Sequence, residues 1–194
     1  MRQIANLLHE ISQLSRTPRT GFAFLGTGKQ SVAEHTYSMT MICWVLADIS
    51  VGPVNRERLL MLSLCHDLPE ARTGDLNYVY KKYCSTNNQL AMDDLPVDTE
   101  TGAELRRCII EFEAGETYEA QLAHDADQIE MLLCLKQEFD SGNPRAMLWF
   151  ENVVQRIRTE TAKTLAEAIR TTPSDEWWMQ DPKDPHWIHG KGNR

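Results

Sequence analysis

Positive charge is in short supply in this chain: 20 lysines and arginines stand against 28 aspartates and glutamates, a formal net charge of −8. Binding to a nucleic-acid polymer requires a basic footprint that displaces counterions from phosphates, so no such partner is expected. Long apolar runs are missing as well. The most apolar stretch, MTMICWVLADI, is too short to cross a bilayer and runs into Asp48, which predicts no membrane span. The opening MRQIANLLHEISQLSR mixes polar and charged residues with apolar ones at helical spacing and lacks the unbroken apolar block of a signal peptide, which points to a cytoplasmic protein. Paired cysteine motifs are also absent. Cys43, Cys65, Cys84, Cys108 and Cys134 are odd in number, widely spaced and form no CxxC, and four of them sit in apolar helical stretches; they read as reduced thiols rather than a disulfide framework or zinc site.

Strict alternation of apolar and polar residues is nearly absent too, while helical spacing recurs in segment after segment, which predicts an all-α fold. Composition is that of an ordinary globular chain, 42% hydrophobic and 25% charged, and residues 1–175 are read as one domain followed by a tail, 176–194, rich in Trp, Pro and His. A first helix is predicted from about residue 3 to 15, ended by Pro18 and Gly21. A second starts at SVAE, where Ser31 and Glu34 fit a capping box, and runs to about Ser50. Asn55 caps a third through RERLLMLSLCHD, followed by a polar stretch to about Val97 with at most one short helix. A fourth covers TGAELRRCIIEFEA and a fifth about 117–139. Asn143 and Pro144 open one long last helix ending near RTTPSD.

Several ionisable residues fall where apolar ones belong. His35 lies on the stripe Val32, Met39, Ile42, Leu46 and Ile49 of the second helix. His66 and Asp67 close the third helix, whose apolar residues around most of its circumference mark it as central. A carboxylate at that end faces the negative pole of the helix dipole and calls for a nearby cation. On the fifth helix AHDADQIEMLL brings Asp125, Asp127 and Glu130 into a segment suited to burial, Asp127 sharing its face with Ala123, Met131 and Cys134. A core histidine alone is ordinarily just hydrogen-bonded, and a helical aspartate alone ordinarily solvated. Two histidines and two aspartates on three helices, each near an apolar face, are instead the mixed nitrogen and oxygen set that a divalent metal accepts.

SVAEH, then CHDLPEARTGD, then DADQIEM, in that order, resembles the HD-domain metal-dependent phosphohydrolases, most closely the small 5'-deoxynucleotidases that hydrolyse nucleoside 5'-monophosphates. The resemblance covers about residues 7–139. It implies a helical bundle of about six or seven helices with the metal site between the central ones. The metal ligands fall on His35, His66, Asp67 and Asp127, with Asp125 as rival for the last place although the DQIEM register favours Asp127. One divalent ion is implied, Mn, Co, Mg, Fe or Ni, since the extra histidines of two-metal relatives are missing and only His124 lies between His66 and Asp127. Glu70 falls on the catalytic acidic position and Asp75 on a second one near the attacked phosphate. An arginine in the loop before the first histidine contacts phosphate in such enzymes, and RTPRTG offers both Arg16 and Arg19. Phe22 departs from the tryptophan relatives often carry, which leaves the base or sugar pocket open.

The same resemblance implies a small-molecule nucleotide substrate and a homodimer. Its alternatives are an HD hydrolase of another phosphorylated substrate, a nucleoside triphosphate or guanosine polyphosphate, or an inactive metal-stabilised nucleotide-binding module. Arg72 reads as an ion-pair partner, and Thr36 as bonded to its own backbone. In the tail, His186 and His189 have metal-compatible spacing, but the surrounding prolines favour Trp177, Trp178 and Trp187 acting as docking anchors on the body or a subunit interface.

Overall fold

Hydroxyl and amide side chains start most of the helices by accepting hydrogen bonds from otherwise unpaired first-turn amides. In the computed structural model, which describes residues 1–95, 99–179, 181, 183, 184 and 186, eleven helices and no strand occur among the described residues. They are α1 (Arg2–Gln13), α2 (Gly21–Leu25), α3 (Val32–Ile49), α4 (Arg56–Cys65), α5 (Glu70–Thr73), α6 (Tyr78–Lys81), α7 (Asn88–Asp93), α8 (Glu100–Ala114), α9 (Tyr118–Asp140), α10 (Arg145–Val154) and α11 (Glu160–Thr171). Ser31 and Glu34 form the expected capping box on α3, and Asn55, Thr117 and Thr159 cap α4, α9 and α11.

The all-α expectation holds, but the count of six or seven helices is too low. Four of the added helices, α2, α5, α6 and α7, have four to six residues, too few to show a 3.6-residue period, and their starts depend on local caps such as Asn77 and Asn87. The other added helix comes from the long last helix, which is broken between Val154 and Glu160. There the backbone amides of Arg158 and Thr159 and the Thr159 hydroxyl all donate to the carboxylate of buried Asp125, at 2.8, 2.8 and 2.7 Å. An acceptor on a different helix therefore takes the amides that a continuous helix would have used internally.

Helix α9 is the axis of the bundle, packed against α3, α4, α8, α10 and α11. Its Leu122, Ile129, Leu132 and Leu135 are buried with Met39 and Leu46 of α3, Leu59 and Leu62 of α4, and Phe150 of α10. The third predicted helix is thus central as expected, although Leu64 faces outward. Ahead of α3 the chain folds back on itself: the amide of Arg19 donates to the Gln30 carbonyl at 2.8 Å and that of Val32 to Thr17 at 2.9 Å. This neck brings residues 17–20 against the start of α3.

The five cysteines are free, with Cys43, Cys65 and Cys108 buried and Cys84 exposed. No helix among the described residues is long and apolar enough to cross a membrane. In the tail, Trp177 is 79% exposed and anchors nothing on the body of this chain, while the expected roles of Trp187 and His189 lie outside the described residues.

Candidate metal centre

Both histidines are turned by a hydrogen bond at one ring nitrogen. His35, fully buried on α3, donates from Nδ1 to the Glu130 carboxylate at 2.8 Å, and Glu130 is itself held by the Gln30 side-chain amide. His66, the residue that ends α4, donates from Nδ1 to the backbone carbonyl of Ser63 at 2.9 Å. With Nδ1 committed as donor, each ring turns its Nε2 toward the other, and both Nε2 atoms are buried without a hydrogen-bond partner. A buried polar atom left unpaired costs free energy, so a pair of them aimed together is a strong sign of a missing ligand.

The aspartates complete the cluster. Asp67 Oδ2, also buried and unpartnered, lies 3.1 Å from His66 Nε2 and 3.6 Å from His35 Nε2. Asp127 Oδ1 lies 3.2 Å from His35 Nε2, and donor atoms of His35, His66 and Asp127 fall within 4.8 Å of one another. Burial works to raise the pKa of Asp67 and Asp127, but the facing His66, His35 and Arg19 outweigh it and hold both well below the usual carboxylate range. Burial likewise works against a proton on His35, yet the carboxylates of Asp127 and Glu130 facing its two ring nitrogens lift its pKa to about 9. Two imidazole nitrogens and two ionised carboxylates, with orphaned atoms converging, fit a divalent cation.

Glu70 opens α5 one turn beyond the histidine, with Pro69 at the N-cap. Its Oε2 is buried and unpartnered, and burial, with Asp67 and Asp75 nearby, pushes its pKa up to about 8. Arg19 lies 3.6 Å from Asp67 Oδ2; burial opposes its charge, but Asp127, Asp67 and Asp75 together raise its pKa above the ordinary value. Asp75 does not reach toward a reacting group in the same free way. Its Oδ2 accepts from the Thr20 amide at 2.7 Å and the Thr20 hydroxyl at 3.2 Å, and that hydroxyl also accepts from Asn77. Asp75 and Asn77 thereby pin the loop that carries Arg19.

These groups surround a cavity of about 310 Å³, whose walls include Arg19, Asp67, Glu70, Asp75 and Asp127. Arg16 is exposed and lies outside it, so of the two candidate arginines the structure brings only Arg19 to the cluster. Asp125 faces the 158–159 segment instead, two residues and about 200° of helix rotation away from Asp127. Arg72 pairs with Glu10, Thr36 bonds the Val32 carbonyl, and His124 bonds the Phe112 carbonyl.

Sequence reasoning gave no role to Glu130, Thr20 or Trp149. Glu130 carried a signal: it sits three residues beyond Asp127, close to the same face of α9. Thr20 carried none, since its partners Asp75 and Asn77 are more than fifty residues away. Trp149, which also lines the cavity, comes from the stretch read as one long last helix.

The chain is similar to several known proteins. A family model described as "HD domain" matches residues 11–170. A 5'-deoxynucleotidase of Schizosaccharomyces pombe is 31% identical over 142 residues, 66% of this chain and 69% of that protein. One of Danio rerio is 31% identical over 139 residues, 69% of this chain and 68% of that protein. A solved structure from Magnetospirillum magnetotacticum, described as a predicted metal-dependent phosphohydrolase, shares the fold with a TM-score of 0.70 at 20% identity, covering 87% of this chain and 90% of that one.

Proposed function

The chain belongs to the HD-domain family, and from that membership we propose that it is a 5'-deoxynucleotidase, converting deoxyribonucleoside 5'-monophosphates to nucleoside and phosphate at one divalent metal ion held by His35, His66, Asp67 and Asp127. The observation that carries the reading is the convergence of unpartnered buried atoms, His35 Nε2, His66 Nε2 and Asp67 Oδ2, beside unpartnered Glu70 Oε2 and the Arg19 guanidinium. A purely structural ion would need neither of the last two.

When bound, the ion supplies positive charge against a phosphate oxygen and lowers the pKa of water. The chain's own groups do the rest. Arg19, always charged and held in place through Thr20 and Asp75, binds the phosphate and offsets the charge that develops on it. Glu70 Oε2 takes the proton of the attacking water as the new P–O bond forms, and returns it to the 5'-oxygen as the old P–O bond breaks. A carboxylate whose pKa is raised to about 8 is a stronger base than one in water, and its protonated form is matched to the leaving oxygen. Asp75 acts on the site as a positioning residue, by holding the Arg19 loop.

Two copies are proposed to associate through α3, where Tyr37, Met41, Trp44 and Val45 form an exposed stripe at helical spacing; sedimentation at micromolar concentration distinguishes dimer from monomer. Five free thiols support a reducing compartment, the cytoplasm. The substrate is a small molecule, and the acidic charge balance disfavours a nucleic-acid polymer.

The test is phosphate release from a panel of deoxyribo- and ribonucleoside 5'-monophosphates by chelated protein, with Mn²⁺, Co²⁺ or Mg²⁺ restored singly and Asp67→Ala as control. Metal-dependent release that the substitution abolishes is the expected result. No release from any monophosphate would turn the assignment toward other phosphorylated substrates or toward binding without turnover.

A further inference from the structure

The cavity at the metal centre extends well beyond the ionic cluster. Along α9 its wall is formed in turn by Asp127, Met131 and Leu135, four residues apart. At 1.5 Å per residue this wall runs about 12 Å away from the ligand aspartate. Phe22 and Leu25 of α2 and Trp149 of α10 also line the cavity, which gives the site an apolar, aromatic portion besides its charged one. A phosphate and a metal require none of this apolar surface.

Trp149 is seated by a close approach that only glycine permits. A Cβ placed on Gly21 would meet Trp149 Cη2 at 2.9 Å, so the indole lies directly over the start of α2, next to Phe22. Among the polar groups that line the cavity, Gln128 donates to Asp127, and Asn77 is engaged by Thr20 and by its own helix start. Lys81 and Arg156, donors only, can pair with hydrogen-bond acceptors that every nucleobase carries, and Tyr78 adds a further ring with one hydroxyl. The cavity therefore offers ring faces more than a pattern of donors and acceptors.

We infer that Trp149 is a specificity-determining residue whose indole stacks on the base of the bound nucleoside 5'-monophosphate. The inference rests on the proposed nucleotidase reading and names the residue that separates a nucleotide from a simple sugar phosphate. Stacking between base and aromatic side chain is tolerant of base identity, since every base has a π-face.

The experiment compares kcat and KM for the four deoxynucleoside 5'-monophosphates and for 2-deoxyribose 5-phosphate, which has no base, in the wild-type protein, Trp149→Ala, Trp149→Phe and Gly21→Ala, each loaded with metal. Trp149→Ala should raise KM for every nucleotide about 10-fold or more with a smaller effect on kcat, and should shrink the kcat/KM preference for nucleotide over sugar phosphate by a similar factor. Trp149→Phe should retain most of that preference. Gly21→Ala keeps the indole but displaces it, and should lose part of the preference; it decides the matter if Trp149→Ala does not fold. An unchanged preference in the folded variants overturns the role of Trp149 and leaves the nucleotidase reading standing. If the wild-type protein hydrolyses no 5'-monophosphate, that reading fails and the inference falls with it.

Discussion

A carboxyl group shielded from water and facing other carboxylates holds its proton more tightly, and Glu70 is in that position, at a pKa of about 8. Glu70→Gln keeps the shape but cannot move the proton; it should lower kcat about 10²–10⁴-fold with the metal content of the protein unchanged. Full turnover in the metal-loaded variant would remove Glu70 from the chemistry. Glu130 acts one step further from the metal, through the Nδ1 of His35. Glu130→Gln should weaken metal binding by about 10–100-fold, read by competition with a chelating dye. His35 itself, lifted to about 9 by Asp127 and Glu130 against the opposing effect of burial, is protonated at neutral pH when no metal is present. Metal uptake should then release a proton and tighten as pH rises toward 9, which calorimetry in buffers of different ionisation enthalpy measures directly.

Two aspartates on one helix give the sharpest contrast at the next scale. Asp127→Ala should abolish metal binding and leave the fold standing. Asp125→Ala should do the reverse, keeping one metal per chain but lowering stability by about 3 kcal/mol, since three donors of residues 158–159 lose their acceptor. Chemical denaturation together with metal analysis of the two proteins tests both halves. The register of α9 could be read from DQIEM, and the caps at Ser31 and Asn55 were equally legible because each is a local hydrogen bond between near neighbours. The break after Val154 was not, because its cause sits on another helix more than thirty residues earlier. Nor could the choice between Arg16 and Arg19 be made, since it depends on the neck between residues 17–19 and 30–32 and on Asp75, none of which leaves a periodic trace. Elements long enough to show a period and set by neighbours in sequence were visible, while the one-turn helices and the features set by tertiary partners emerged only from the folded chain.

For the whole molecule, the metal and the fold are linked through His35. In the metal-free protein its raised pKa contributes stability that is complete below its ordinary value of 6.5 and is lost as pH rises through about 9. The lowered pKa values of Asp67, Asp127 and Glu130 contribute stability that is present above the ordinary carboxylate range and lost in acid. The chelated protein should therefore melt at a falling temperature from pH 7 to 9, and the gain in Tm on adding metal should widen over the same interval. A gain independent of pH would separate His35 from the ion.

The hydrogen bonds that shape the site join residues far apart in the chain: His35 and Glu130 are separated by 95 positions, Gln30 and Glu130 by 100, and Thr20 and Asp75 by 55. Helical bundles owe their fast folding to contacts made nearby in sequence, and here the helices themselves have that character while the centre between them does not. Closing such long loops costs entropy that the early, local steps cannot recover. The ligand set is thus expected to assemble late, once α3 and α9 have docked, so a partly folded chain should have neither the cation site nor the means to hydrolyse a nucleotide.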